Sequence, residues 1–223
     1  MNNYKGVLFD LDGTLADNYI AIHKCTCAVF AEYGVPLPSY EKVFKTVGGS
    51  ILITMKRLLA DSEFENLYEK IADDYLKVYP KYVYCGLKAM PYAENLLVAL
   101  KSQGVKLACF TNKQSEGAEQ VLAYLGLDKY LDCTIATTLH SPRKPEKAFT
   151  EMALKALALD SCNVIGIGDS PFDYQAAQCC NIDSALVATG GDSKDFLIEK
   201  CRNAIGIFDN LKCLAKKVFD LEI

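Results

Sequence analysis

The stretch Gly6-Val7-Leu8-Phe9-Asp10-Leu11-Asp12-Gly13-Thr14 decides the fold. Its four leading residues form an apolar run of strand length, and two aspartates and a glycine turn follow at once. Runs of the same kind recur down the chain. Val105 to Phe110 is the second and Leu131 to Ala136 a weaker third, followed by Val164 to Ile167, Ala185 to Val187 and Ala204 to Phe208. Most are separated by stretches with helical spacing. Pro91 opens one such stretch and Gly104 closes it, with Leu96, Leu97 and Leu100 as its buried stripe. This alternation predicts an α/β fold, an open, Rossmann-like, mostly parallel sheet with helices on both faces.

From Asp17 to about Ala89 the alternation stops. Three or four helical patterns follow one another there without a convincing strand, punctuated by Gly34, Gly48-Gly49 and Pro80. The simplest account is an all-helical insert. Residues 1–16 and 90–223 then form the core and residues 17–89 the insert. No internal repeat or long charge block interrupts this plan.

Composition narrows the function. The chain has 223 residues, 51% apolar and 23% charged, with 24 Lys and Arg against 28 Asp and Glu. A net charge of −4 argues against a large basic surface for nucleic acid. No apolar run approaches the roughly 20 residues of a bilayer span, and the first residues lack a signal-peptide layout. Ten cysteines occur without any Cys-x-x-Cys spacing, so reduced, mostly buried thiols in a cytoplasmic protein are expected.

In such sheets ligands bind beyond the carboxyl ends of the strands. Asp10 and Asp12 follow the first strand, Thr111 and Asn112 the second, and Gly168-Asp169-Ser170 the Val164 strand; Asp173 lies four residues beyond Asp169. Lys144-Pro145 occupies a later loop. Carboxylates gathered on one edge repel unless a cation sits among them. Mg²⁺ suits such oxygens, with Asp10 and Asp169 as natural ligands and a backbone carbonyl near Asp12 as a third oxygen. Lys144 and Thr111 suit phosphoryl oxygens. Asp10 is then placed to attack phosphorus, while Asp12 protonates the leaving oxygen and later deprotonates water.

Phe9-Asp10-Leu11-Asp12-Gly13-Thr14-Leu15 resembles the first motif of the haloacid dehalogenase superfamily. Thr111-Asn112, Lys144-Pro145 and Gly168-Asp169-Ser170-Pro171-Phe172-Asp173 resemble its second, third and fourth motifs. The helical insert is similar to the cap of phosphoglycolate-phosphatase-like members. The resemblance implies a Mg²⁺-dependent phosphatase acting on a small phosphorylated metabolite through an aspartyl-phosphate. Asp10 is the implied nucleophile, Asp12 the general acid/base and Asp169 a metal ligand. Thr111 and Lys144 become phosphate binders, and Asn112 orients phosphate or nucleophile. Asp173 would steady Lys144 or the metal's surroundings, and with Asp12 it completes the candidate metal set.

Asp12 points to phosphate esters, because true dehalogenases lack that second aspartate. Thr14 fits the phosphatase-type motif, whereas mutases of the β-phosphoglucomutase kind usually carry Val there. Phosphomutase and non-catalytic binding module are the alternatives. The Gly48-Gly49-Ser50 turn resembles the cap loop whose amides reach a substrate anion, and Gly48 and Gly49 are candidate substrate-binding residues. His23 is expected to be packed or solvated, and His140 and Arg143 to be solvated loop charges. Tyr75, Tyr79, Tyr82 and Tyr84 read as packing or an interface patch. No nucleic-acid or membrane partner is expected, and the assembly is expected to be a monomer or homodimer.

Overall fold

A computed structural model describes residues 4–138 and 141–223, so His140 lies outside the described residues. The chain runs β1 (Gly6–Phe9), β2 (Ala16–Asp17), α1 (Tyr19–Glu32), α2 (Tyr40–Thr46), α3 (Ile51–Leu59), α4 (Tyr68–Val78), β3 (Lys88–Ala89) and α5 (Ala93–Ser102). It continues β4 (Lys106–Gln114), α6 (Ser115–Leu125), β5 (Cys133–Thr137), α7 (Lys147–Leu157), β6 (Val164–Gly168) and α8 (Pro171–Gln178). The last elements are β7 (Asp183–Val187), α9 (Lys194–Lys200), β8 (Gly206–Phe208) and α10 (Leu211–Leu214).

Six strands form one parallel sheet in the order β5-β4-β1-β6-β7-β8. β1 lies inside it, which is why its apolar run is unbroken: successive side chains go to opposite faces and both faces are covered. Val7 and Phe9 join Leu107, Ile165 and Ile167 in one core with Leu96, Leu97 and Leu100 of α5. Leu8 joins Ala108 and Phe110 in a second core with Phe149, Ala153 and Leu157 of α7. Helices therefore pack on both faces, as the sequence pattern predicts.

The four helices α1 to α4 lie between β1 and the rest of the sheet. Local chemistry starts two of them: the Ser39 hydroxyl accepts from the Lys42 amide and the Ser50 hydroxyl from the Ile53 amide. One element departs from the sequence reading. β2 and β3 pair antiparallel, Ala16 with Ala89 and Asp17 with Lys88, and the expected boundaries of the insert fall on this ribbon. Two-residue strands carry no periodicity, so the pattern could not reveal them. β4 also runs to Gln114, past the expected end at Phe110. Its register against β5 shifts between those two residues, at the end of the sheet where chemistry gathers.

No helix among the described residues is long and apolar enough to cross a membrane. All ten cysteines are free, with Cys25 and Cys109 buried and Cys162 and Cys213 exposed. Burial pushes the Cys25 thiol up to about 12, leaving roughly one thiolate in 10,000 at pH 8. A short iodoacetamide pulse on the native protein should label Cys162 and Cys213. Cys25 and Cys109 should label only after denaturation, as peptide mass spectrometry will show.

Candidate active site

Asp10 is the first residue past β1, and its backbone N–H donates to the Ile167 carbonyl at 2.8 Å, so the ends of β1 and β6 are tied together. Asp169 follows β6 directly. Asp10, Asp169 and Asp173 each place a carboxylate oxygen within 4.8 Å of the others. Lys144 is inserted among them, 2% exposed, and its Nζ donates to Asp10 Oδ1 at 2.7 Å, Asp173 Oδ1 at 2.6 Å and the Phe110 carbonyl at 2.8 Å. All three ammonium protons are thus used. Burial alone would pull this ammonium down, but Asp10 and Asp173 outweigh that and hold it above its ordinary value.

Three carboxylates against one ammonium leave an excess of negative charge. Burial pushes Asp10 up to about 6 against the pull of Lys144, and burial with the neighbouring Asp10 and Asp173 raises Asp169 well above the carboxylate range. These are hard oxygen donors with a charge deficit, the setting that suits a divalent cation. The backbone makes room for Asp169 in particular. A Cβ on Gly190 would lie 1.7 Å from Asp169 Oδ2, so only glycine allows this approach. Thr14 Oγ1 donates to Asp169 Oδ1 at 3.2 Å, a bond that a Val there could not make.

The remaining predicted residues fall into different positions. Asp173 spends one oxygen on Lys144; the other accepts from the Asp169 and Ser170 amides and the Ser170 hydroxyl. Its carboxylate is saturated by protein donors, which suits holding Lys144 and the Asp169 loop. Asn112 grips the Lys144 backbone with both ends of its amide: Nδ2 donates to the Lys144 carbonyl at 3.1 Å and Oδ1 accepts from its N–H at 2.7 Å. It acts on the site through Lys144. Thr111 is buried, with its hydroxyl accepting from the Lys113 amide at 3.2 Å. The Asp12 carboxylate stands outside the three-aspartate cluster. It pairs with Lys113 Nζ at 3.0 Å and accepts from Asn18 Nδ2 at 3.3 Å.

Lys113 and Asn18 are the functional candidates that the sequence reading missed. Lys113 is the next residue after Thr111-Asn112 at the same strand end, a signal that was available. Asn18 lies in the insert's first turn, where nothing local marks it. Lys113 also sits 4.7 Å over the Tyr79 ring, and the Tyr79 hydroxyl accepts from Asn18 Nδ2. Tyr79 is therefore part of the site's border, and with Tyr75 it lines a cavity; the sequence expectation for both is packing or an interface patch. Tyr84 is exposed and stacks on the exposed Tyr124, with centroids 4.8 Å apart. His23 packs edge-on against Tyr40, and its Nε2 lies 3.1 Å from the Pro38 carbonyl. Arg143 lies in the loop before Lys144, with Nη2 3.5 Å from the Ser141 carbonyl.

The cavity occupies about 390 Å³ between the helical insert and the sheet edge, beside Asp12. Ile22, Val47, Ile51, Tyr75, Leu76 and Tyr79 give it an apolar wall from the insert. Gly49 lines it, while Gly48 stands on the far side of the same turn, where a Cβ would lie 3.7 Å from the Ser170 side chain. The turn thus reaches from the insert to the β6–α8 loop.

The chain has known relatives. Residues 7–187 match the model of the haloacid dehalogenase-like hydrolase family. The chain belongs to the haloacid dehalogenase-like hydrolase family. A phosphoglycolate phosphatase from Neisseria meningitidis serogroup A is 32% identical over 198 residues, covering 85% of this chain and 83% of that protein. One from Aquifex aeolicus is 27% identical over 209 residues, covering 92% and 96%. Among solved structures, a predicted phosphatase from Clostridium acetobutylicum superposes with a TM-score of 0.84 at 26% identity, covering 98% of this chain and 99% of that one. A predicted phosphoglycolate phosphatase from Haemophilus somnus 129PT shares the fold, with a TM-score of 0.85 at 22% identity over 97% and 98% of the two chains. The chain is thus a hydrolase of the phosphatase kind.

The central role of Lys144 has a measurable consequence. Lys144→Ala leaves Asp10 and Asp173 buried without their cation, and stability should fall by about 3 kcal/mol. Urea denaturation in EDTA tests this, and an unchanged midpoint would contradict it.

Proposed function

We propose that this chain is a Mg²⁺-dependent phosphatase that hydrolyses a phosphate monoester of a small metabolite through an aspartyl-phosphate. The observation that carries the reading is Lys144, whose buried ammonium bridges Asp10 and Asp173 at the sheet edge. The family and the names of its relatives, phosphoglycolate phosphatases among them, support the same class.

In this reading an Asp10 oxygen attacks phosphorus. The P–O bond to the leaving alcohol breaks, and its electron pair departs with the alcohol oxygen. Asp12 enters as the acid and delivers its proton to that oxygen; the carboxylate left behind takes a proton from the water that attacks phosphorus, breaking the bond to Asp10 and releasing inorganic phosphate. Lys113 and Asn18 orient the Asp12 side chain. Thr111 binds one phosphoryl oxygen and Lys144 another, in exchange for its bond to Asp10 as Asp10 attacks; the amides of Gly48 and Gly49 close over them, and Asn112 and Asp173 fix Lys144. Asp10 and Asp169 would hold the Mg²⁺. When bound, it supplies positive charge that offsets the repulsion between a carboxylate nucleophile and a phosphate dianion. The helical insert acts as a cap that excludes water while the aspartyl-phosphate forms.

Phosphate release from p-nitrophenyl phosphate should require Mg²⁺ and stop in EDTA. Asp10→Asn should lower turnover roughly 1,000-fold or more. Undiminished turnover in that variant would exclude Asp10 as nucleophile. Gly190→Ala, which forces Asp169 out of its position, should weaken Mg²⁺ binding at least about 10-fold by calorimetry while the circular dichroism spectrum is retained.

A further inference from the structure

The cavity beside Asp12 has a composition that selects among leaving groups, an inference that rests on the phosphatase reading. Its insert wall is apolar and aromatic. Among the described residues, the only acidic or basic side chains lining it are Asp12, Lys113 and Glu116. Lys113 is 9% exposed and already engaged, by the Asp12 carboxylate on one side and the Tyr79 ring on the other. Among the described residues, a carboxylate entering this space would meet two carboxylates and no uncommitted cation. Burying an unpaired carboxylate is among the costliest things a site can do.

The other polar side chains of the core-side wall are uncharged, Gln114, Ser115, Gln120 and Thr138 among them. The volume, about 390 Å³, falls within the range of sites for ring-sized ligands and far exceeds what a two-carbon acid fills.

We infer that the substrate is a phosphate ester whose leaving group is uncharged, largely apolar and at least ring-sized. A short carboxylated alcohol such as glycolate is a poor fit. Gln120 lines the cavity outside the proposed catalytic set, so a charge can be introduced there.

The test compares kcat/KM for 4-(hydroxymethyl)benzyl phosphate and 2-phosphoglycolate under Mg²⁺. Both release a primary alcohol, so the comparison isolates recognition of the leaving group. Acetyl phosphate serves as a third substrate, because its small, reactive leaving group reports the core chemistry with little help from the cavity. The expected result is turnover of acetyl phosphate and a preference of roughly 100-fold for the benzyl ester. Gln120→Lys, which brings a cation into the cavity, should shrink that preference at least about 10-fold. If acetyl phosphate turns over but 2-phosphoglycolate equals or exceeds the benzyl ester, the inference is wrong and the phosphatase reading stands. If none of the three is hydrolysed, both fall. The wild-type comparison decides the matter even if Gln120→Lys fails to fold.

Discussion

One buried ammonium organises this molecule. Lys144 joins Asp10 at the end of β1, the Phe110 carbonyl on β4 and Asp173 on α8. Three distant segments therefore converge because a single cation cannot be left unpaired in a dry place. Asn112 then fixes the Lys144 backbone from β4, so the position of the ammonium is set from both its ends. The stability of the sheet edge and the chemistry of the site are held by the same bonds. The surplus of carboxylates around Lys144 cannot be relieved by rearranging these groups, since Asp173 already has every oxygen engaged. That surplus falls on Asp10 and Asp169, a setting that suits a divalent cation.

The helical insert meets the core through close backbone approaches. Gly191 lies so near the insert that a Cβ would come within 2.3 Å of the Phe44 carbonyl. Gly48 faces Ser170, and Asn18 carries the contact to Asp12 and Tyr79. The insert thus helps to position a core carboxylate as well as shaping the cavity above it. Both ends of the site are built where two parts of the chain touch.

The sheet was legible because its strands are buried on both faces and therefore unbroken in sequence: Val7 and Phe9 serve one core, Leu8 the other. The candidate motifs were legible because strand ends deliver Asp10, Thr111, Asn112 and Asp169 to one edge whatever their neighbours do. Other features lacked any such signature. The Ala16–Asp17 and Lys88–Ala89 ribbon is too short for a period. The partner of Asp12 depends on the Lys113 side chain turning toward it, and neither charge reveals that alone. The aromatic pair Tyr75 and Tyr79 looks like core packing in sequence, and it does pack, stacked at 5.5 Å. Their contribution to the cavity follows from how this segment faces residues of α6 across it, a tertiary fact.

The site divides into two electrostatic regions with Asp12 at their border. On one side lie Asp10, Asp169, Asp173 and Lys144, where charge must be balanced and every donor is committed. On the other lies a cavity with an apolar, aromatic wall, bordered by the Asp12–Lys113 pair and Glu116. These regions constrain sequence differently. Changing one charge in the first leaves another charge buried and unpaired, whereas the second tolerates exchange among apolar side chains of suitable volume. The two regions nevertheless act on each other through Asp12. A ligand that fills the cavity displaces water from beside the Asp12–Lys113 pair, and in that drier setting their attraction strengthens. Occupancy of the apolar side therefore tightens the hold on Asp12, so the two regions are coupled through one ion pair.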